Sequence, residues 1–215
     1  FNILEGTLDL GQNLHSPYLS TGTLIRNARL QLTAEPFAVG TVERLENFVA
    51  DPSFEIAGSA LADWIQSTSL GPGATGTTVR VTSTAKYGTA ALQLTLGTDT
   101  GTDNYVQRYQ YVTSLSGSYN LVLSSWFRLT GAFVRYLVRF EVINASGTLL
   151  SATESTSTVT GTAFQQLTIT RTSTATMGTL AIVFRLQTVG GGTASGTALV
   201  DGIFLGTGTA STTAW

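Results

Sequence analysis

The chain has 215 residues, no cysteine, a single histidine and a net charge of −2, and only 11% of its residues are charged. These figures exclude a disulfide framework, a cysteine zinc site and a paired-histidine metal site, and they lack the basic footprint that nucleic acid requires. With 42% hydrophobic residues the chain has material for a core, although 56 residues are Ser or Thr and 23 are Gly.

No apolar run approaches the ~20 residues of a membrane helix. The N-terminus also lacks the basic start and apolar stretch of a secretory signal. The chain starts at Phe1, and GTGTASTTAW after Leu205 reads as a linker, as expected for a piece of a longer or processed protein. Residues 1–46 hold Glu5, Asp9, Glu35, Glu43 and Glu46, the only histidine (His15) and two of the four prolines. Leu24–Ala34 reads as a strand that Glu35-Pro36-Phe37 breaks. This segment is too short for a core of its own. It is expected to be an extended arm that docks on the main domain or on another subunit. The domain organisation read from the sequence is therefore arm 1–46, main domain 47–205 and tail 206–215.

From residue 77 onward nearly every segment alternates with period two. Thr77–Ser83 places Val79 and Val81 on one face, and Ala90–Gly97 places Leu92, Leu94 and Leu96 together. Tyr105–Val112 carries Tyr105, Tyr109 and Tyr111 opposite Arg108. Tyr119–Leu129 sets Leu121, Leu123 and Phe127 against Val122, Ser124, Trp126 and Arg128. Phe133–Val142 sets Val134, Tyr136, Val138, Phe140 and Val142 against Arg135, Leu137, Arg139 and Glu141. Phe164–Arg171, Leu180–Thr188 and Ala198–Leu205 complete the series. Turn residues separate these runs at Asn144–Gly147, Gly178 and Gly190–Gly192, and threonine on the outward positions suits a pleated surface. The class is all-β, a sandwich, jelly roll or barrel.

Few motifs carry chemistry. Gly71-Pro72-Gly73-Ala74-Thr75-Gly76 matches a dinucleotide loop in letters, but a strand follows it instead of the helix that would hold phosphate. Asn144-Ala145-Ser146 has the form of a glycosylation sequon and reads as a hairpin turn. A glycosidase needs two carboxylates facing each other, yet only Glu141 sits mid-strand, beside Arg135 and Arg139, as in a cross-strand charge ladder. No enzyme activity is expected. On this alternation Arg80, Arg108, Arg128, Arg135, Arg139, Arg185 and Trp126 all point outward. Such a set serves a sugar site, a protein interface, or pairing within the chain itself.

Asn47-Phe-Val-Ala-Asp-Pro-Ser-Phe-Glu55, followed by Trp64, resembles the opening of carbohydrate-binding-module jelly rolls of the family 4/9/22 kind. Lys86-Tyr-Gly-Thr-Ala-Ala-Leu-Gln-Leu94, Gly117-Ser-Tyr-Asn-Leu-Val-Leu-Ser-Ser-Trp-Phe127 and Leu199-Val-Asp-Gly-Ile-Phe-Leu205 are similar to later family motifs in the right order. The resemblance covers residues 47–205. It implies a two-sheet antiparallel jelly-roll β-sandwich without catalysis. It further implies a structural calcium held by Glu55 and Asp201, with a departure at Gly202, where many members carry a second Asp. A sugar site would lie on the concave sheet, and Trp126 matches the family's outward tryptophan. Arg128, Arg135, Arg139 and Glu141 are the accompanying ligand candidates.

Leu24-Ile-Arg-Asn-Ala-Arg-Leu-Gln-Leu-Thr-Ala-Glu-Pro-Phe-Ala-Val-Gly40 is similar to a segment of long-tailed bacteriophage tail proteins, where it precedes jelly-roll modules. Together these likenesses imply a non-catalytic virion structural protein of the tail, baseplate or capsid surface. Its expected partners are other virion subunits, in a homo-oligomer, and cell-surface carbohydrate, with no membrane insertion. The alternative is a carbohydrate-binding module of a secreted polysaccharide-degrading enzyme.

Overall fold

Alternating apolar and polar residues, rich in β-branched side chains, turn one face of a strand to a core, and the last two strands of this fold are buried on both faces. A computed structural model describes residues 47–56, 61–112, 120–172 and 179–207, all within the unit Glu43–Trp215. The arm and most of the tail lie outside the described residues, as do His15 and the Leu24–Ala34 segment. Among the described residues there are ten strands and no helix. They are β1 (Ile65–Ser69), β2 (Gly76–Val81), β3 (Ala91–Asp99), β4 (Tyr105–Val112), β5 (Asn120–Ala132), β6 (Val134–Ile143), β7 (Leu149–Ser157), β8 (Gln165–Thr172), β9 (Thr179–Thr188) and β10 (Ala194–Thr207).

The strands form two five-stranded antiparallel sheets, in the orders β1-β4-β9-β6-β7 and β2-β3-β10-β5-β8. The result is the two-sheet jelly-roll sandwich. Neither β1 nor β7 is among the strands read from the sequence. Both are edge strands with little burial on either side, so no alternation marks them.

The inward rows make one core. Leu92, Leu94 and Leu96 of β3 share it with Ile182, Phe184 and Leu186 of β9 and Tyr136, Val138 and Phe140 of β6. Trp64 is fully buried between Phe54 and Phe184, with ring centroids 5.6 and 5.5 Å away. Phe127 stacks on Tyr136 at 4.6 Å, and the Tyr136 hydroxyl meets Ser125 Oγ at 2.8 Å across the sheets. Burial pushes the Tyr136 phenol far above its ordinary value, so it stays neutral.

Both open sides of the sandwich are closed by polar clasps. On one side Arg108 of β4 reaches across to Thr78 Oγ1 of β2 (2.6 Å), and also donates to the Trp64 carbonyl and Gln66. On the other side Arg171 of β8 donates to Ser151 Oγ (2.6 Å) and Thr153 Oγ1 (3.1 Å) of β7. Arg80 of β2 lies on the inward row as well and donates to the Phe54 carbonyl at 2.6 Å. Two expectations are corrected here. Arg80 on the edge strand β2 and Arg108 on β4, next to the edge strand β1, point inward, and Tyr105, Tyr109 and Tyr111 point outward, because Val106 and Val112 take the core positions of β4. At an edge the core thins, so a long polar side chain can lie along it and keep its head hydrated.

Two local features fix the last strand. Gly202 and Ile203 together oppose Ser125, a bulge with Gly202 at φ +54°. A Cβ on Gly202 would stand 2.7 Å from the Tyr87 ring and 3.1 Å from Trp126, so only glycine fits. Past the bulge, Phe48 N donates to the Leu205 carbonyl (2.9 Å), while the Asn47 side chain donates to Ile203 O (2.8 Å) and accepts from Leu205 N (3.0 Å). The Asn144 turn between β6 and β7 is as read: its side-chain oxygen accepts from Ser146 N and Thr148 N.

Candidate functional site

The outward face of the β1-β4-β9-β6-β7 sheet gathers polar and aromatic side chains in cross-strand rows. The register aligns Tyr105, Gln187 and Arg135, then Gln107, Arg185 and Leu137, then Tyr109, Val183, Arg139 and Glu154, then Tyr111, Ala181 and Glu141. Period-two alternation brings these residues to one side, and the pairing of three long strands sets them in rows.

Arg185 sits at the centre, its side chain only 9% exposed. Its guanidinium stacks 3.9 Å from the centre of the Tyr105 ring, and its Nε donates to Gln107 Oε1 at 2.7 Å. Glu141 Oε1 lies 2.9 Å from Arg139 Nε and 3.5 Å from Arg185, and Arg139 also pairs with Glu154 at 3.2 Å. Burial, with help from Arg139, pushes the Arg185 guanidinium down, but from so high a start that it stays a cation. At the end of the face Asp103 Oδ1 accepts from Arg135 (3.1 Å) and Gln187 (2.8 Å). Arg135, Arg139 and Arg185 are thus matched by Asp103, Glu141 and Glu154, which leaves the face polar without net charge. Tyr109 and Tyr111 stand edge to face at 5.4 Å, and burial with the Tyr111 bond pushes the Tyr109 phenol up. Aromatic faces beside forked donors and acceptors suit a neutral polyhydroxylated ligand.

The structure separates the ligand candidates. Arg135, Arg139 and Glu141 belong to this face, whereas Trp126 and Arg128 are on β5, on the outward side of the opposite sheet. The Lys86 ammonium sits 4.2 Å over the Trp126 ring, and Tyr87 meets it edge-on at 6.3 Å. That packing spends the tryptophan on pinning residues 86–87. Arg128 lies 5.9 Å over Phe164. Sequence reasoning missed the tyrosine row because it counted Tyr as core. The signal was present in β4, where valines at 106 and 112 claim the inward positions.

Glu55 and Asp201, the pair implied for calcium, instead hold the loop 86–90. Asp201, fully buried, accepts from Lys86 N (2.6 Å), Tyr87 N (2.7 Å) and Gly202 N (2.6 Å). Glu55 accepts from Thr89 N, Thr89 Oγ1 and Ala90 N, each at 2.8 Å. Gly88 passes against Glu55 at φ +63°, where a Cβ would collide with the carboxylate. Burial pushes the Asp201 carboxyl up against the pull of its amide donors, while the bonds from Ala90 and Thr89 hold Glu55 below its ordinary value. The N–H and O–H donors on these oxygens take up the lone pairs a calcium ion would need, so these residues do not fit a calcium centre. Among the described residues no three Asp, Glu, His or Cys side chains converge on a metal position.

No family model matches the chain, and no curated protein matches it. Solved structures do. TmCBM61, solved with β-1,4-galactotriose, superposes with a TM-score of 0.51 at 16% identity, covering 76% of this chain and 99% of that one. The CBM22-1 xylan-binding domain of Paenibacillus barcinonensis Xyn10C gives 0.51 at 16% identity, covering 77% of this chain and 97% of that one. The enzymatically active domain of bacteriophage CBA120 tailspike protein 4 gives 0.53 at 14% identity, covering 75% of this chain but only 21% of the tailspike chain. The fold is that of the carbohydrate-binding-module jelly rolls.

Proposed function

We propose that this chain is a non-catalytic glycan-binding protein that contacts neutral carbohydrate through the outward face of the β1-β4-β9-β6-β7 sheet and is displayed on a phage particle. The observation that carries the binding role is the charge-balanced constellation of Tyr105, Gln107, Arg139, Glu141, Glu154 and Arg185 with Tyr109 and Tyr111 beside it. Aromatic rings offer stacking to the C–H face of a sugar, and the guanidinium–carboxylate array offers fixed partners to its hydroxyls. The xylan-binding and galactotriose-bound neighbours support that ligand class. The particle setting draws support from the tailspike neighbour and from the Leu24–Gly40 resemblance. The second reading, a module of a secreted polysaccharide-degrading enzyme, draws support from the neighbour that is the xylan-binding domain of Xyn10C.

Affinity electrophoresis and titration calorimetry with xylan, β-1,4-galactan and their oligosaccharides test the binding role. The wild type is expected to bind at least one of them, and Tyr109→Ala/Tyr111→Ala to weaken binding about tenfold or more. Absence of binding, or an unaffected double variant, overturns it. Light scattering of the chain with and without residues 1–46 tests the setting. A defined oligomer that becomes a monomer supports the particle, and two monomers favour the secreted enzyme.

A further inference from the structure

One end of the sandwich joins three connections: residues 100–104 between β3 and β4, Phe133 between β5 and β6, and residues 189–193 between β9 and β10. Backbone bonds tie them, from Thr188 N to Asn104 O (2.8 Å) and from Val189 N to Phe133 O (3.0 Å). Two non-glycine residues here hold the left-handed conformation, Asp103 at φ +62° and Phe133 at φ +54°. For a phenylalanine that conformation costs about 1–2 kcal/mol. The Phe133 side chain does not recover the cost by burial, since the residue is 48% exposed. Its ring lies against Gly192, where an added Cβ would stand 2.6 Å from two ring carbons. The ring is therefore backed by glycine and presented to solvent.

Its surroundings are polar and continuous with the sheet face. Arg135, two residues on, pairs with Asp103, whose side chain keeps 66% exposure, and Arg135 Nε is buried without a hydrogen-bond partner among the described residues. Arg135 and Gln187 also form the row that ends the sheet face beside Tyr105. From Tyr111 to Tyr105 that face runs six residues along β4, about 20 Å, and Phe133 stands past its Arg135 end. A strained, exposed aromatic next to a carboxylate with free acceptor capacity has the makings of a sugar position.

We propose that Phe133 is the stacking platform of an outer saccharide subsite, with Asp103 and Arg135 as its hydrogen-bonding groups, so that longer neutral glycans engage one ring beyond the sheet. The inference rests on the glycan-binding reading of that face. A trisaccharide sits on the sheet alone; a hexasaccharide reaches the loop end.

The test is calorimetry on the full chain with xylotriose, xylohexaose, β-1,4-galactotriose and β-1,4-galactohexaose. Phe133→Ala is expected to weaken hexasaccharide binding roughly three- to tenfold and to leave the trisaccharide unchanged. Phe133→Gly suits the left-handed backbone, so it is expected to match that loss while melting at or above the wild-type temperature. If both variants bind the hexasaccharide like wild type while Tyr109→Ala/Tyr111→Ala does not, the subsite is overturned and the sheet reading stands. Equal losses on both lengths, or a lowered melting temperature for Phe133→Gly, make the ring a structural element and overturn the subsite. If the wild type binds none of the four sugars, the sheet reading falls and the subsite with it.

Discussion

Glu141 stands between two guanidinium groups, 2.9 Å from Arg139 and 3.5 Å from Arg185, and its side chain is 15% exposed. Removing its charge leaves two poorly hydrated cations facing each other with only Glu154 and Gln107 to compensate. Glu141→Gln, nearly equal in shape, is expected to destabilise the fold by about 1–3 kcal/mol. The loss is read as a lower urea midpoint at unchanged slope. A midpoint equal to the wild type shows instead that the arginines find other acceptors. At this scale the sequence was a fair guide to chemistry, since the alternation of β6 already put Arg135, Arg139 and Glu141 on one face. Arg185 as the centre was not legible. Its partners Gln107 and Tyr105 come from a strand about 80 residues earlier, and only the sheet order brings them together.

The edge strands show what period-two reading can and cannot deliver. A central strand such as β6 turns one row to the core, so its apolar row is plain. At the edges β1 and β7 meet little of it, and their Ser- and Thr-rich sequences carry no row at all. The same thinning let Val79 pass for a core residue when it is 43% exposed, while Thr78 and Arg80 take the inward row. The arginine clasps are the folded counterpart of this pattern, with polar groups joining the sheets where apolar ones run out. Arg171→Met keeps the stem and loses the bonds to Ser151 and Thr153. It is expected to cost about 1 kcal/mol and to speed amide exchange in β7 and β8 ahead of the central strands. Uniform exchange across both sheets argues against a clasp.

Across the whole molecule, buried carboxylates serve loops. Burial pushes the Asp99 carboxyl up, but its bonds from Gly101 N (2.7 Å), Asn104 Nδ2 (2.8 Å) and Gly71 N (3.1 Å) outweigh this and hold it below its ordinary value. Its stabilisation is therefore complete above the ordinary carboxylate value and is lost as pH falls through the lowered one. Asp201 has the opposite sign. Its raised value means that protonation favours the fold, which offsets part of the acid loss. Asp99→Asn is expected to lower the melting temperature at pH 7, with the gap to wild type closing on acidification below the carboxylate range. A gap that stays constant with pH shows that hydrogen-bond geometry alone, without charge, holds these loops. Resemblance motifs singled out Glu55 and Asp201 as a pair that would hold a calcium ion. They could not show that the loop's own amides fill the place of an ion.

The joint between Asn47 and the end of β10 bears on how the protein withstands pulling. Because Phe48 bonds Leu205, and Asn47 grips both Ile203 and Leu205, the polypeptide enters and leaves the sandwich at neighbouring points. Tension between the flanking segments falls first on that short seam. With that seam the first to open, the two sheets need not part when the domain is pulled from residues 47 and 207.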